Sequence, residues 1–267
     1  MLVTGGASGI GRLVAERLAA LGARLVLWDL DPEALHRTVP AVEAHGRHTV
    51  AGYVCDVGDR TQVYETARRV RDEVGSVDVL VNNAGVVSGQ RFLDLPDEKI
   101  EATFRVNTLA LFWTGKAFLP DMIARNRGHV VTMASASGYV GVARLADYAA
   151  SKWAAVGFDE SLRMELRRLA PGVKTTVVCP FYVATGMFAG VRSRFGSLLP
   201  ILEPAAVADR IVRALRRDQR RVVMPRLVGL LPLARIMPVA AFDAVVDFLG
   251  VNTSMDEFVG RRTGPDA

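Results

Sequence analysis

The chain has 267 residues, of which half are apolar and 23% are charged, and its formal net charge is +5. This length fits a single domain with a large core, and the composition excludes an intrinsically disordered chain. Because no long basic run is interleaved with aromatic residues, we expect no nucleic-acid partner.

The chain begins with a short apolar strand that ends in a glycine-rich turn, Thr4-Gly5-Gly6-Ala7-Ser8-Gly9-Ile10-Gly11. Glycines allow such a turn to approach a pyrophosphate, which then rests at the amino end of the following helix. The next strand-like run ends at Asp29, where an acid binds the ribose hydroxyls of a dinucleotide. A purely structural glycine turn and a capping role for Asp29 are the alternatives. The glycine turn and Asp29 together favour a dinucleotide site.

Further strand-like runs follow at 49–55, 77–81, 129–133, 174–179 and 222–224, and helical patterns separate them. Alternating strands and helices predict a parallel sheet with helices on both faces. We therefore predict an α/β protein: a single-domain Rossmann fold over residues 1–267, with a doubly wound, seven-stranded parallel sheet. The candidate functional residues all follow the carboxyl ends of strands, which is where such sheets bind ligands.

Tyr148 and Lys152 are four residues apart in a helical pattern, so they share one face of the helix. A nearby ammonium favours the phenolate, and we expect Lys152 to lower the pKa of Tyr148. A phenol tuned in this way can take a proton from an alcohol or give one to a carbonyl. The spacing alone is weak, because exposed helices carry it by chance.

Three further motifs make the pattern specific: Asn82-Asn83-Ala84-Gly85 after the fourth strand, Asn107, and Ser135 thirteen residues before Tyr148. With the glycine turn, the set resembles the short-chain dehydrogenase/reductase family. The resemblance covers nearly the whole chain. It implies an NAD(P)-dependent enzyme that acts on CH-OH donors, in which Asn107, Ser135, Tyr148 and Lys152 are the catalytic residues.

The resemblance also implies individual roles. Ser135 would bind the substrate oxygen, Lys152 the nicotinamide ribose, and Asn107 a water that connects Lys152 to solvent. The glycine turn, Asp29 and the family motifs together give the expected cofactor contacts: Gly5, Ser8, Gly9, Ile10, Gly11, Asp29, Asp56, Val57, Asn83, Ala84, Gly85, Tyr148, Lys152, Pro180, Val183 and Thr185. Because the Asp29 carboxylate repels a 2′-phosphate, and only Arg12 borders the turn, we expect NAD as the cofactor.

The segment Pro180-Phe181-Tyr182-Val183-Ala184-Thr185-Gly186-Met187-Phe188 resembles the branch of retinol dehydrogenases and 17β-hydroxysteroid dehydrogenases, with Phe181 where the family usually has glycine. The branch implies a lipophilic alcohol, of retinoid, steroid or long-chain type. We expect a substrate lid at about 181–204, with Phe181, Tyr182 and Phe188 as substrate contacts. Other apolar residues expected at its rim are Phe195, Leu198, Leu199, Val140 and Val142. Packing of these residues within the protein is the alternative.

The leading prediction is a reversible NAD-dependent alcohol dehydrogenase. The alternatives are a carbonyl reductase that consumes NADH and a non-catalytic nucleotide-binding scaffold, which has no need of four catalytic residues. By the family resemblance we expect a homodimer or homotetramer. No metal site is predicted: the two cysteines, Cys55 and Cys179, follow apolar runs typical of buried thiols, and the four histidines, read as surface or loop residues, lack ligand spacing.

An apolar C-terminal segment at about 226–258 completes the pattern. Its prolines, Pro225, Pro232 and Pro238, prevent one long helix, and no apolar run reaches the roughly 18 residues that span a bilayer. Because arginines accompany the apolar residues, residues 220–250 are a candidate for contact with a membrane surface. Closure over the active site and packing on a neighbouring subunit are the alternatives. We expect a cytoplasmic protein, with membrane association as a second possibility.

Overall fold

The computed structural model describes residues 1–260 as one parallel sheet flanked by helices. The strands are β1 (Leu2–Thr4), β2 (Leu25–Asp29), β3 (Val50–Val54), β4 (Val79–Asn82), β5 (Gly128–Met133), β6 (Val173–Pro180) and β7 (Arg221–Met224). The helices are α1 (Gly9–Ala20), α2 (Pro32–Glu43), α3 (Arg60–Glu73), α4 (Asp97–Phe104), α5 (Ala110–Ala124), α6 (Ala146–Leu169), α7 (Pro204–Arg216), α8 (Leu231–Ala234) and α9 (Val239–Phe248). Residues 261–267 of the predicted domain lie outside the described part of the chain.

The sheet has the order β3-β2-β1-β4-β5-β6-β7, and every neighbouring pair is parallel. This confirms the predicted doubly wound, seven-stranded Rossmann fold. The strand order reverses between β1 and β4, and a crevice outside the carboxyl ends of the strands forms at such a point. The fold therefore brings the ends of β1, β2, β4, β5 and β6 to one edge.

Apolar side chains on both faces of the sheet form two separate cores. Val3 and Leu27 pack with α1 and α7 on one face, whereas Val26 and Trp28 pack with α3 and α5 on the other. Trp28 is fully buried, and its ring centroid lies 5.6 Å from that of Phe118. Burial on both faces explains why β2 is continuously apolar instead of alternating.

The helix starts differ in a way that matters for the site. The Asp31 side chain accepts hydrogen bonds from two amides at the start of α2, and Asp59 does the same for α3. Ser8, which precedes α1, makes no side-chain cap. The first amides of a helix have no partner within the helix, so the start of α1 offers N–H groups to an anion.

Two stretches differ from the simplest expectation. The helical stretch between β4 and β5 is interrupted between α4 and α5 by a π-helical turn, Arg105–Leu109, which carries Asn107. His129, read from the sequence as a surface or loop residue, is buried in β5, where its Nε2 lies 2.7 Å from Thr176 Oγ1. Burial lowers the His129 pKa to about 4. The prediction was wrong because the partner of the buried imidazole, Thr176, lies 47 residues away in the sequence.

The C-terminal segment is broken at its prolines, as predicted. It forms a 3₁₀ turn (Arg226–Leu230), α8 and α9, and then turns through residues 251–257. Within residues 1–260, no helix combines the length and the apolar character needed to cross a bilayer.

Candidate active site

One cavity at the carboxyl edge of the sheet collects nearly all the residues that the sequence singles out. Among the predicted catalytic, cofactor and substrate residues, only Gly11 and Asn107 lie outside its lining. The predicted residues that line it are Gly5, Ser8, Gly9, Ile10, Asp29, Asp56, Val57, Asn83, Ala84, Gly85, Ser135, Tyr148, Lys152, Pro180, Phe181, Tyr182, Val183, Thr185 and Phe188.

The glycine turn has the geometry that the motif predicts. Gly5 and Gly9 have φ values of +60° and +52°, in the left-handed region that favours glycine. A Cβ on Gly11 would lie only 2.1 Å from the Gly5 carbonyl oxygen and 2.5 Å from Asn83 Nδ2. The Asn83 side chain donates to the carbonyls of Thr4 and Gly5, both at 3.0 Å. Gly11 therefore supports the turn from behind, and Asn83 holds it to β4.

Asp29 stands at the end of β2, beside the glycine turn. Its Oδ2 accepts from the Ala7 amide at 2.9 Å and its Oδ1 from the Asp31 amide at 3.2 Å. Each carboxylate oxygen keeps a further lone pair for a hydroxyl donor. Arg12, the basic residue bordering the turn, forms an ion pair with Glu16 at 2.8 Å.

These features fit a dinucleotide. The uncapped start of α1 suits a pyrophosphate, and Asp29 suits a ribose. At the end of β3, Asp56 accepts from the Gly58 amide at 2.8 Å, and buried Val57 lies beside it in the cavity lining. The chain thus offers groups for a pyrophosphate and a ribose along one edge of the sheet.

Tyr148 lies near the start of α6, with only 5% of its surface exposed. The Ser135 side chain, which follows β5, lines the same cavity. Ser135 Oγ accepts from the Ser137 amide at 3.2 Å and donates to the Pro180 carbonyl at 3.5 Å, and these two contacts orient it. The Phe188 ring packs edge-on against Tyr148, with centroids 5.6 Å apart. The predicted pair of hydroxyls therefore meets inside an apolar setting.

The expected effect of Lys152 on Tyr148 does not occur in this structure. Burial raises the Tyr148 pKa well above its ordinary value, and the neighbouring Ser135 hydroxyl only partly opposes this. Burial also lowers the Lys152 pKa to about 8. Lys152 Nζ donates to the Met133 carbonyl at 2.8 Å and lies 5.5 Å from the centre of the Tyr148 ring. Desolvation of the phenol outweighs the distant ammonium.

Asn107 lies near Lys152, on the π-helical turn. Its side chain is hydrogen-bonded to the backbone: Oδ1 accepts from the Val86 amide and Nδ2 donates to the Val86 carbonyl, both at 2.9 Å. Nδ2 also donates to Ser151 Oγ at 3.0 Å. A Cβ on Gly85 would meet Asn107 Oδ1 at 3.2 Å and Lys152 Nζ at 3.7 Å, so both side chains converge there. The water-holding role of Asn107 stays a prediction.

An aromatic wall closes the cavity above Tyr148. The ring centroid of Tyr182 lies 4.6 Å from that of Phe181 and 5.2 Å from that of Phe188. Two rim residues predicted from the sequence do not line the cavity: Phe195 packs against Phe248, and Leu198 is 46% exposed. The sequence could not distinguish them from the cavity-lining residues, because the irregular lid segment carries no periodicity that fixes which side chains point inward.

The sequence reading did not place individual C-terminal residues in the site. The C-terminal segment closes over the cavity and lines it with Leu227, Val228, Leu231, Val246, Leu249 and Val251. Apolar spacing of three and four residues was the available signal, but it does not reveal what a helix packs against. Closure over the active site, one of the alternatives for this segment, is what the structure contains.

Comparison with known proteins agrees with this geometry. Residues 1–195 match the short chain dehydrogenase family. Epidermal retinol dehydrogenase 2 of Mus musculus is 44% identical over 264 residues, covering 98% of this chain and 85% of that protein. Retinol dehydrogenase 10 of Bos taurus is 43% identical over 289 residues, with coverages of 98% and 85%.

Solved structures show the same fold. A short chain dehydrogenase/reductase from Burkholderia phymatum in complex with NAD superimposes with a TM-score of 0.78 at 28% identity, covering 88% of this chain and 92% of that one. A metagenomic short-chain oxidoreductase in complex with NADP gives a TM-score of 0.70 at 33% identity, with coverages of 84% and 95%. A structure in complex with NAD and one in complex with NADP therefore share this fold.

Proposed function

The chain belongs to the short-chain dehydrogenase family, and on that premise we propose that it interconverts lipophilic alcohols and their carbonyl compounds with NAD. That it is an oxidoreductase of alcohols and carbonyls follows from the family; the substrate class and the choice of NAD are the proposal. One observation carries the proposal: the buried side chains of Tyr148 and Ser135 face a cavity that the lid and the C-terminal segment line with apolar and aromatic residues.

Tyr148 is the proposed acid and base. Ser135 binds the substrate oxygen and holds it beside the Tyr148 hydroxyl, so that a proton can pass between the two oxygens. When bound, NAD supplies the hydride acceptor and, in its oxidised form, a positive charge that favours the phenolate. Lys152 is the proposed proton relay, because its lowered pKa of about 8 lets it exchange a proton near neutral pH.

The choice of NAD rests on Asp29. Its carboxylate lines the cavity, and Arg12, the nearest basic residue in sequence, is already paired with Glu16. A 2′-phosphate near Asp29 would meet a negative charge without a compensating cation. This argues for the unphosphorylated ribose of NAD.

The proposed substrate class rests on the apolar residues that line the cavity on the side of the lid. Apolar side chains from the lid and the C-terminal segment suit a long hydrocarbon or ring system, which gains affinity by leaving water. The two relatives described above carry the name retinol dehydrogenase, and retinoids are therefore the first substrates to examine. Steroids and long-chain alcohols share the required chemistry.

Two alternative functions make different predictions. A carbonyl reductase uses the same residues but works mainly with NADH, and the raised pKa of Tyr148 suits a proton donor. A nucleotide-binding scaffold would bind NAD without turnover. These cases are separated by incubating retinol, a steroid alcohol and 1-decanol with NAD or NADP, and the corresponding carbonyl compounds with NADH or NADPH, while NADH or NADPH absorbance is followed. We expect NADH formation with at least one of them; binding without turnover in either direction would favour the scaffold.

A homodimer is proposed from the outer faces of α5 and α6. Phe112, Trp153, Met164 and Leu169 are each more than 40% exposed, and a symmetric contact would bury them. Light scattering at micromolar concentration should give at least twice the monomer mass. A purely monomeric species would count against this interface.

Contact with a membrane surface is proposed for the outer side of the C-terminal segment. Leu230, Leu233, Ile236 and Val239 are between 57% and 79% exposed on the segment that also lines the cavity, so a lipophilic substrate could enter from a bilayer. We expect binding to anionic liposomes at low salt and its loss in a Leu233→Glu, Ile236→Glu variant. Protein that stays in the supernatant would refute the contact.

Not all arginines of residues 220–250 are available for that role. Arg221 pairs with Glu160. Arg235 stacks over the Trp153 ring at 4.5 Å and donates from Nε to the Tyr139 carbonyl at 2.9 Å. Their replacement would disturb packing, and the apolar substitutions are therefore the cleaner test.

A further inference from the structure

The last described stretch, residues 251–260, forms a strap across the active site. Met255 is fully buried and belongs to the same apolar cluster as Tyr148 and Tyr182. Phe258 packs edge-on against Phe188, with ring centroids 6.5 Å apart. The strap therefore lies directly behind the aromatic side chains that face the cavity.

The strap is fitted closely to the loops beneath it. The Val259 amide donates to the Ala189 carbonyl at 2.9 Å. A Cβ on Gly190 would lie 2.0 Å from the Glu257 carbonyl oxygen, and one on Gly89 would lie 2.0 Å from the Phe258 ring. Glycine at both positions permits this approach. The exposed ion pair between Arg192 and Glu257 adds little to it.

A buried hydrogen bond joins the strap to the substrate wall. Tyr182 Oη lies 2.8 Å from Ser254 Oγ, and Ser254 Oγ donates to the Val251 carbonyl at 2.6 Å. A serine hydroxyl has one proton, and a carbonyl oxygen only accepts. The Ser254 proton is therefore used on Val251, and Tyr182 must be the donor in its bond to Ser254. Burial raises the Tyr182 pKa to about 12, so the phenol keeps that proton.

We propose that Tyr182 is a positioning residue whose hydroxyl latches the strap at Ser254, and that the latched strap gives the enzyme its preference for large lipophilic alcohols. This rests on the proposed function. Met255 and Phe258 support the Tyr182 and Phe188 rings from behind. A large substrate depends on those rings for apolar contact, whereas a short alcohol needs only the hydroxyl pair near the reacting carbon. Loosening the strap should therefore weaken binding of large substrates alone.

The test uses Tyr182→Phe and Ser254→Ala, which remove the donor or the acceptor and leave the ring or the backbone in place. Tyr64→Phe and Ser161→Ala are the matched controls, on α3 and on the exposed surface of α6. Hydrogen exchange of residues 251–260 reports the latch without any need for catalysis. KM and kcat for 1-decanol and 1-propanol, followed by NADH absorbance, report selectivity.

We expect both variants to exchange faster in the strap and to raise KM for 1-decanol about three- to tenfold, the net worth of one buried hydrogen bond. In Ser254→Ala, whose side chain lies outside the cavity lining, KM for 1-propanol and NAD affinity should change less than about twofold. The double variant should resemble each single variant, because all remove the same bond.

Unchanged exchange in both variants would overturn the latch. If exchange in the strap is faster but KM rises equally for 1-decanol and 1-propanol, the latch has no role in selectivity and the hydrogen bond is purely structural. If the unmodified enzyme oxidises no large alcohol, the proposed function fails and selectivity falls with it, while exchange still decides whether Tyr182 latches the strap.

Discussion

Replacing Asp29 by asparagine should shift the cofactor preference from NAD towards NADP. The change keeps the size of the side chain and one of its two backbone contacts, to the Ala7 or the Asp31 amide, but removes the charge. Two unit charges 4 Å apart repel by about 1 kcal/mol in water and by about 4 kcal/mol at an effective dielectric constant of 20. Because Asp29 is half-buried, we expect a change of about 2 kcal/mol, which is roughly thirtyfold in the ratio of affinities.

Titration of both variants with NAD and NADP by calorimetry measures this ratio directly. Asp31→Asn is the matched control, because it removes the same charge two residues away, from a side chain that caps α2 and lies outside the cavity lining. The control should leave the ratio unchanged. If the unmodified protein binds NADP as tightly as NAD, or if Asp31→Asn shifts the ratio equally, Asp29 does not select the cofactor.

Two further predictions concern the turn and the core. Gly11→Ala should weaken NAD binding at least tenfold and lower the midpoint of thermal unfolding, because its Cβ would lie 2.1 Å from the Gly5 carbonyl oxygen; normal binding would refute the close approach. Asp159 is buried with its pKa raised to about 7, so the folded state holds a proton that the unfolded chain releases near pH 4. Stability should therefore fall as pH rises from about 4 to 7, by up to about 4 kcal/mol, and Asp159→Asn should remove this dependence in urea unfolding measured at pH 5 and pH 8.

Sequence reasoning succeeded where local backbone demands or motif order fix the outcome. The positive φ values of Gly5 and Gly9 follow from a turn that only glycine adopts easily. Tyr148 and Ser135 meet because one lies near the start of a helix and the other follows a strand of the same parallel sheet. Such features are encoded within a few residues of each other, or by the fixed geometry of the fold.

Sequence reasoning failed where contacts between distant segments determine a side chain's partners or its pKa. Nothing near Tyr182 in the sequence points to Ser254, which lies 72 residues away. The pKa of Tyr148 depends on how completely the surrounding segments exclude water, and spacing from Lys152 carries no information about that. Asn107 lies on a π-helical turn that interrupts the helix, and the spacing of apolar residues does not predict such a turn.

The most direct test of the account is turnover and NAD binding in Tyr148→Phe, beside Tyr139→Phe as a control that removes a buried phenol outside the cavity lining. A positioned acid or base contributes about 10²–10⁴-fold to rate. We expect Tyr148→Phe to lower turnover of a lipophilic alcohol by at least about 10²-fold. Its NAD affinity should stay within about twofold of that of the unmodified enzyme. Tyr139→Phe should remain active. A loss of only a few fold in Tyr148→Phe would contradict the assignment of Tyr148 as the acid and base.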